Sequence, residues 1–167
     1  MSFNMRKPHG MTLNHVSAAF VLGTTSTYTT TVTTSCSIGG KFGTTLGAQT
    51  NTASPTTDAT TLAAFVALTA NQATVLVWGV NAAGAIKLSQ GSIVPTVTGV
   101  TTTAGAFINA PQFPNLPDDF CPIAYGLVRT SPTGNAFTTG TTSWTSSGIT
   151  ASTFVNISTL PDRPQTA

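Results

Sequence analysis

Glutamate is absent from this chain of 167 residues, and the only acids are Asp58, Asp118, Asp119 and Asp162. Lysine and arginine together number six, so charge makes up 6% of the sequence, against roughly a quarter in an ordinary soluble domain. This scarcity excludes several classes. A nucleic-acid-binding face needs a basic patch, and cations scattered from Arg6 to Arg163 do not form one. Coiled coils need heptads rich in Ala, Glu, Lys, Leu and Arg, which are missing. Chemistry run by paired carboxylates has almost no candidates. No apolar run approaches the roughly 18 residues of a membrane-spanning helix. Two cysteines are too few for a disulfide-stapled scaffold.

Hydroxyl side chains are what the chain has instead, with 35 Thr and 14 Ser. Leu, Ile, Val and Phe together number 38, just above the share at which disorder is expected. A net charge of +2 also lacks the self-repulsion that keeps chains expanded. At this length one domain with a real core is expected.

The patterning is β throughout. From Tyr28 to Ile38 the chain alternates, with Tyr28, Val32, Cys36 and Ile38 on one parity and only Thr and Ser on the other. Period two marks a half-buried strand, and Thr suits a pleated, partly wet face. Residues 39–55 read as loop. Residues 62–68 read as a short buried strand, with a short helix capped by Asp58 as the alternative. The clearest element is a hairpin. Thr74 to Val80 is apolar on both faces and so belongs at the centre of a sheet. Asn81 to Gly84 supplies the turn, and the return strand points Ile86 and Leu88 inward, Lys87 and Ser89 outward. Trp78, Val77, Ile86 and Leu88 are therefore core residues. Residues 91–110 are weak β, and three prolines make 111–120 an irregular connection. Residues 122–129 form a strand with Ile123, Tyr125 and Leu127 on one side and small Ala124 and Gly126 on the other. Residues 149–158 form the last strand, with Ile149, Ala151, Thr153, Val155 and Ile157 sharing a face. Short strands between Gly, Pro and Asn turns indicate an all-β sandwich or barrel. The division that follows is an N-terminal arm over 1–23, one β-rich domain over 24–160 and a short proline-containing tail over 161–167.

Reactive constellations are sparse. His9 and His15 fall in the arm, a poor scaffold for a triad, and match no standard metal spacing. The pair Asp118–Asp119 reads as a solvated loop tip. The stretch Gly39-Gly40-Lys41-Phe42-Gly43 lacks the Walker spacing. Asn156-Ile157-Ser158 is a formal glycosylation triplet inside an expected strand. No cofactor or metal site and no catalytic residue is assigned. Cys36 and Cys121 either form one bridge or stay separate buried thiols acting as small apolar residues; the second reading is favoured. Trp144, in a polar Thr/Ser/Gly segment, is the better aromatic contact candidate, since Trp78 is flanked by valines.

The segments FVALTANQ (65–72), VWGVNAAGAIKLSQG (77–91), CPIAYGLVR (121–129), FTTGTTSW (137–144) and ITASTFVNIS (149–158) resemble β-rich virion structural proteins of tailed bacteriophages. The resemblance covers about residues 62–160 and not the Thr-rich N-terminal third. It implies a non-enzymatic particle component on the capsid exterior. The first expectation is a capsid decoration (cement) protein that binds and stabilises the shell of major capsid protein, as a homo-oligomer, a trimer by the same resemblance, with no nucleic-acid or membrane partner. The alternatives are a tail or head fibre component touching the host surface and a secreted carbohydrate-binding β-module. Trp144, together with Val16, Phe20 and Leu22 of the arm, are the candidate contact residues.

Overall fold

The computed structural model describes residues 11–151 and 154–165. The first six strands are β1 (Leu13–Asn14), β2 (Phe20–Leu22), β3 (Thr27–Thr30), β4 (Thr34–Ile38), β5 (Lys41–Leu46) and β6 (Gln49–Ala53). The hairpin is β7 (Gln72–Asn81) and β8 (Ile86–Gln90), followed by β9 (Val94–Pro95). The chain closes with β10 (Phe120–Thr130), β11 (Ile149–Ala151) and β12 (Val155–Asn156). Among the described residues there is no helix, and the architecture is all-β and sandwich-like, in three sheets not closed into a barrel. A six-stranded sheet runs β11-β10-β7-β8, with β12 also on β10 and β9 also on β7. Two three-stranded sheets, β1-β4-β5 and β2-β3-β6, come entirely from the N-terminal third.

The long central strand β7 is apolar at nearly every position because both of its faces are covered. Leu76, Trp78 and Val80 join the larger core cluster, which also takes Phe20, Tyr28, Cys36 and Leu46 from the small sheets. Val75 and Val77 join a second cluster on the opposite face, where Phe107, Phe113, Leu116 and Leu160 from irregular segments lie over Tyr125 and Leu127. The hairpin register pairs Trp78 with Leu88 and Val80 with Ile86. Its turn is held by Asn81, whose Oδ1 accepts the N–H groups of Ala83 (3.2 Å) and Ala85 (2.9 Å). Gly84 has φ +76°, and a Cβ there would sit 2.7 Å from the Thr45 carbonyl oxygen, so only glycine serves.

Several expectations are corrected. Residues 13–22, expected within an arm, supply β1 and β2. Leu13 and Asn14 pair with Ser37 and Cys36, and residues 20–22 pair with residues 28–30. Residues 1–10 of the expected arm lie outside the described residues. Tyr28 to Ile38 is two strands in different sheets, and its expected inward parity holds at Tyr28, Thr30, Thr34 and Cys36 but fails at exposed Val32. The expected loop over 39–55 contains β5 and β6; their Gly, Thr and Asn residues hide the period because these strands are largely exposed. Residues 62–68 are not a strand and make only isolated bridges. Ser89, expected outward, is buried beside Thr60 (Oγ to Oγ1 3.1 Å), because the 58–66 segment lies over the free edge of β8.

The strand β10 carries the most instructive difference. Cys121 and Ile123 face the larger cluster, and so do Ala124 and Val128, while Tyr125 and Leu127 face the other. The pairing with β7 shifts between Pro122 and Ala124. Such a bulge flips the inward parity by one residue, so Ile123 does not share a face with Tyr125 and Leu127. Gly126 lies beneath the Phe154 ring, where a Cβ would meet Cε1 at 2.3 Å. The last strand also divides: Ile149 and Ala151 pack on the larger cluster, Val155 and Ile157 on the smaller. Thr153, expected on their face, lies outside the described residues.

Candidate interaction surface

The structure scatters the sequence-derived contact residues. Trp144 is a core residue, 4% exposed, and the expectation that it projects from a polar loop is corrected. Its ring lies 5.9 Å from Trp78, 5.3 Å from Phe137 and 6.0 Å from Phe154, and its indole Nε1–H donates to the Thr27 carbonyl at 3.0 Å. The polar neighbours in sequence do not protect it, because the 138–146 turns fold it inward. Phe20 is likewise buried at 1%, stacked on Tyr28 and 4.9 Å from Trp78. Leu22 is partly buried against the same cluster. Val16 alone of the four is exposed, at 41%. Of the expected core residues, Trp78, Val77 and Leu88 are fully buried and Ile86 is partly buried.

Two of the most exposed apolar side chains, Leu62 and Val66, were expected in a buried strand over 62–68; that expectation is corrected, since only Phe65 and Leu68 of that segment's large apolar residues are buried. Leu62 is 80% exposed, Val100 75% and Phe42 74%, with Met11, Val66 and Ile108 also well exposed. The Phe42 ring meets His15 edge-on at 5.1 Å. Leu62 and Val66 are displayed by a segment that the chain holds firmly. The Asp58 Oδ1 accepts the N–H groups of Thr60 and Thr61, both at 2.8 Å, and Oδ2 accepts that of Gln90 at 2.7 Å. Gln90 in turn pairs with the backbone of Val66, its Oε1 accepting Val66 N–H at 3.0 Å and its Nε2 donating to Val66 O at 2.9 Å. Leu62 takes φ +58°, a left-handed conformation that costs a branched side chain free energy. Clefts of about 360 and 220 Å³ flank the segment, one beside Val66 and the other beside Leu62 and Lys87. Asp58 borders both, but its oxygens are spent on the backbone and the residue is buried. Its part is to build the segment.

Asn156 of the glycosylation triplet is also engaged. Its Oδ1 accepts Phe20 N–H at 2.7 Å and its Nδ2 donates to Phe20 O at 3.1 Å, so the amide pairs like a strand backbone and ties β12 to β2. The cysteines are free and buried in the larger core, as favoured; the Cys36 thiol reaches Asn14 Oδ1 and the Cys121 thiol the Pro122 carbonyl, each at 4.0 Å. Asp118 and Asp119 form no group of three metal-ligating side chains among the described residues.

No protein family, curated protein or solved structure matches this chain. The surface itself therefore carries the functional argument.

Proposed function

We propose that this chain is a structural protein of a bacteriophage particle, a decoration protein that binds the major capsid protein on the shell exterior and adds stability by mass action. One observation carries the reading. Large apolar side chains, Leu62, Val100 and Phe42 foremost, stand in solvent on a chain with almost no charge around them. Covering such a surface removes apolar area from water while desolvating few ions, the step that makes charged interfaces costly. Sugar binding through Trp144 loses its support, since that ring is buried.

The test is to add the purified protein to undecorated shells of its parent particle, sediment them, and image them. Hundreds of copies at regular shell positions, with shells that withstand higher temperature, are expected. Protein left in the supernatant would overturn the reading, and a few copies confined to the tail would replace it with a fibre role.

A further inference from the structure

We propose that the cleft between residues 58–61 and 112–115 binds a neutral oligosaccharide. The inference is independent of the particle reading and makes no use of the buried Trp144. The cleft has a volume of about 270 Å³ and is formed by the segment from Asp58 to Thr61, the end of β8 with Ser92, and residues 112–115. Its walls are fixed to each other. The Thr60 hydroxyl donates to the Asn115 carbonyl at 2.6 Å, and a Cβ on Gly91 would stand 2.7 Å from the Gln112 carbonyl oxygen. A site assembled before its ligand arrives loses little free energy to ordering. Ser92, Gln112 and Asn115 line it, are exposed, and make no side-chain hydrogen bond among the described residues. Asp58 and Gln90, in the same lining, are by contrast spent on backbone groups.

The unpaired groups define the ligand. Two primary amides and a hydroxyl both donate and accept, and no Lys, Arg or His lines the cleft among the described residues. A phosphate or carboxylate ligand therefore finds no counter-charge. A sugar fits, because adjacent ring hydroxyls also donate and accept, and one amide meets two of them with its N–H and C=O. The C–H face of a sugar needs carbon surface, which Phe113 and Pro114 provide. The Phe113 ring is held edge-on to Tyr125, with centroids 5.0 Å apart. An extended peptide, the competing occupant, binds by adding to a sheet edge. Here that edge of β8 is taken: the Leu88 carbonyl accepts Ala59 N–H at 2.8 Å, and Gln90 N–H donates to Asp58 Oδ2 at 2.7 Å. The cleft shares Asp58, Thr61, Gln90 and Ser92 with the cleft of about 360 Å³ beside Val66. The two make one groove, so the ligand is an oligomer rather than a single ring.

The experiment titrates the full chain by calorimetry with glucose, mannose, galactose and N-acetylglucosamine, and with their neutral oligomers up to the hexamer. At least one series should bind, its hexamer more tightly than its monomer. Gln112→Ala and Asn115→Ala should each weaken that binding by about fivefold, the usual net worth of one hydrogen bond. Neither side chain has a partner to lose in the free protein, so both variants should keep the parent's thermal midpoint. Hydrogen exchange of the unaltered chain with the bound hexamer should slow over residues 58–66, 90–93 and 110–116, a reading that stands even if a variant fails to fold. Four results would each overturn the proposal: no neutral series binds, the double variant binds as the parent does, protection falls elsewhere, or an uncharged Ser-Val hexapeptide binds more tightly than every saccharide.

Discussion

Trp78 and Trp144 lie in one aromatic cluster with Phe20, Phe137 and Phe154, and their energetic roles are alike although their sequence surroundings are not. Trp78 packs edge-on against Phe154 with centroids 4.5 Å apart, and Trp144 closes the other side. Truncating a buried Trp to Ala typically costs about 3–5 kcal/mol, a large part of the roughly 5–15 kcal/mol that holds a domain folded. Trp78→Ala and Trp144→Ala should therefore both lose most of their stability in chemical denaturation. A Trp144→Ala protein that unfolds at the parent's denaturant midpoint would remove that ring from the core. Of the two, only Trp78 is marked by its neighbours, valines in a β pattern. The sequence around Trp144 is Thr, Ser and Gly, and its burial depends on the Thr27 carbonyl, 117 positions away, accepting its N–H.

At the scale of elements, the abundant small polar side chains repair backbone pairing where strands stop or shift. Between β3 and β6 the register slips, and the hydroxyls of Thr29 and Thr30 accept the N–H groups of Asn51 and Gln49, both at 3.0 Å. Thr130 does the same between β10 and the start of β7, accepting Gln72 N–H at 3.1 Å and donating to Thr69 O. Asp58 is the strongest case, with one carboxylate serving three N–H groups over the edge of β8. Leaving such donors without an acceptor costs on the order of 1–3 kcal/mol per group when they stay dry. Asp58→Ala should thus lower stability by about 3 kcal/mol and open the 58–66 segment to proteolysis beside Leu62. A variant cleaved no faster than the parent would show that the carboxylate does not hold the segment. The sequence marks Asp58 as a cap, but its partner on β8, Gln90, is visible only once the chain is folded.

For the whole molecule, the proposed particle role together with so little charge predicts association, as a trimer. Exposed Phe42, Leu62, Val66 and Val100 give it apolar surface to bury, and closed rotational symmetry is the common outcome for identical chains. Static light scattering at micromolar concentration should return three times the 17.0 kDa chain mass. Contacts that involve few ions are weakly screened, so the mass should hold from low to molar salt. A stable monomer, or a trimer that falls apart as salt is raised, would contradict this account of the surface.

Local pattern determined the β class, the hairpin with its Asn-Ala-Ala-Gly turn, the two-faced burial of β7 and the core places of Trp78 and Leu88, because alternation and turn chemistry are properties of neighbouring residues. Tertiary structure alone decided the rest. The bulge at Pro122 to Ala124 turned Ile123 away from Tyr125, a parity change that no run of apolar letters records. Docking of the small sheets on the large one buried Phe20, the 138–146 turns carried Trp144 into the same core, and the packing of β4 against β10 put Cys36 and Cys121 into one core cluster. Each of these depends on groups far apart in the chain, whose meeting is set by how three separate sheets share two apolar layers.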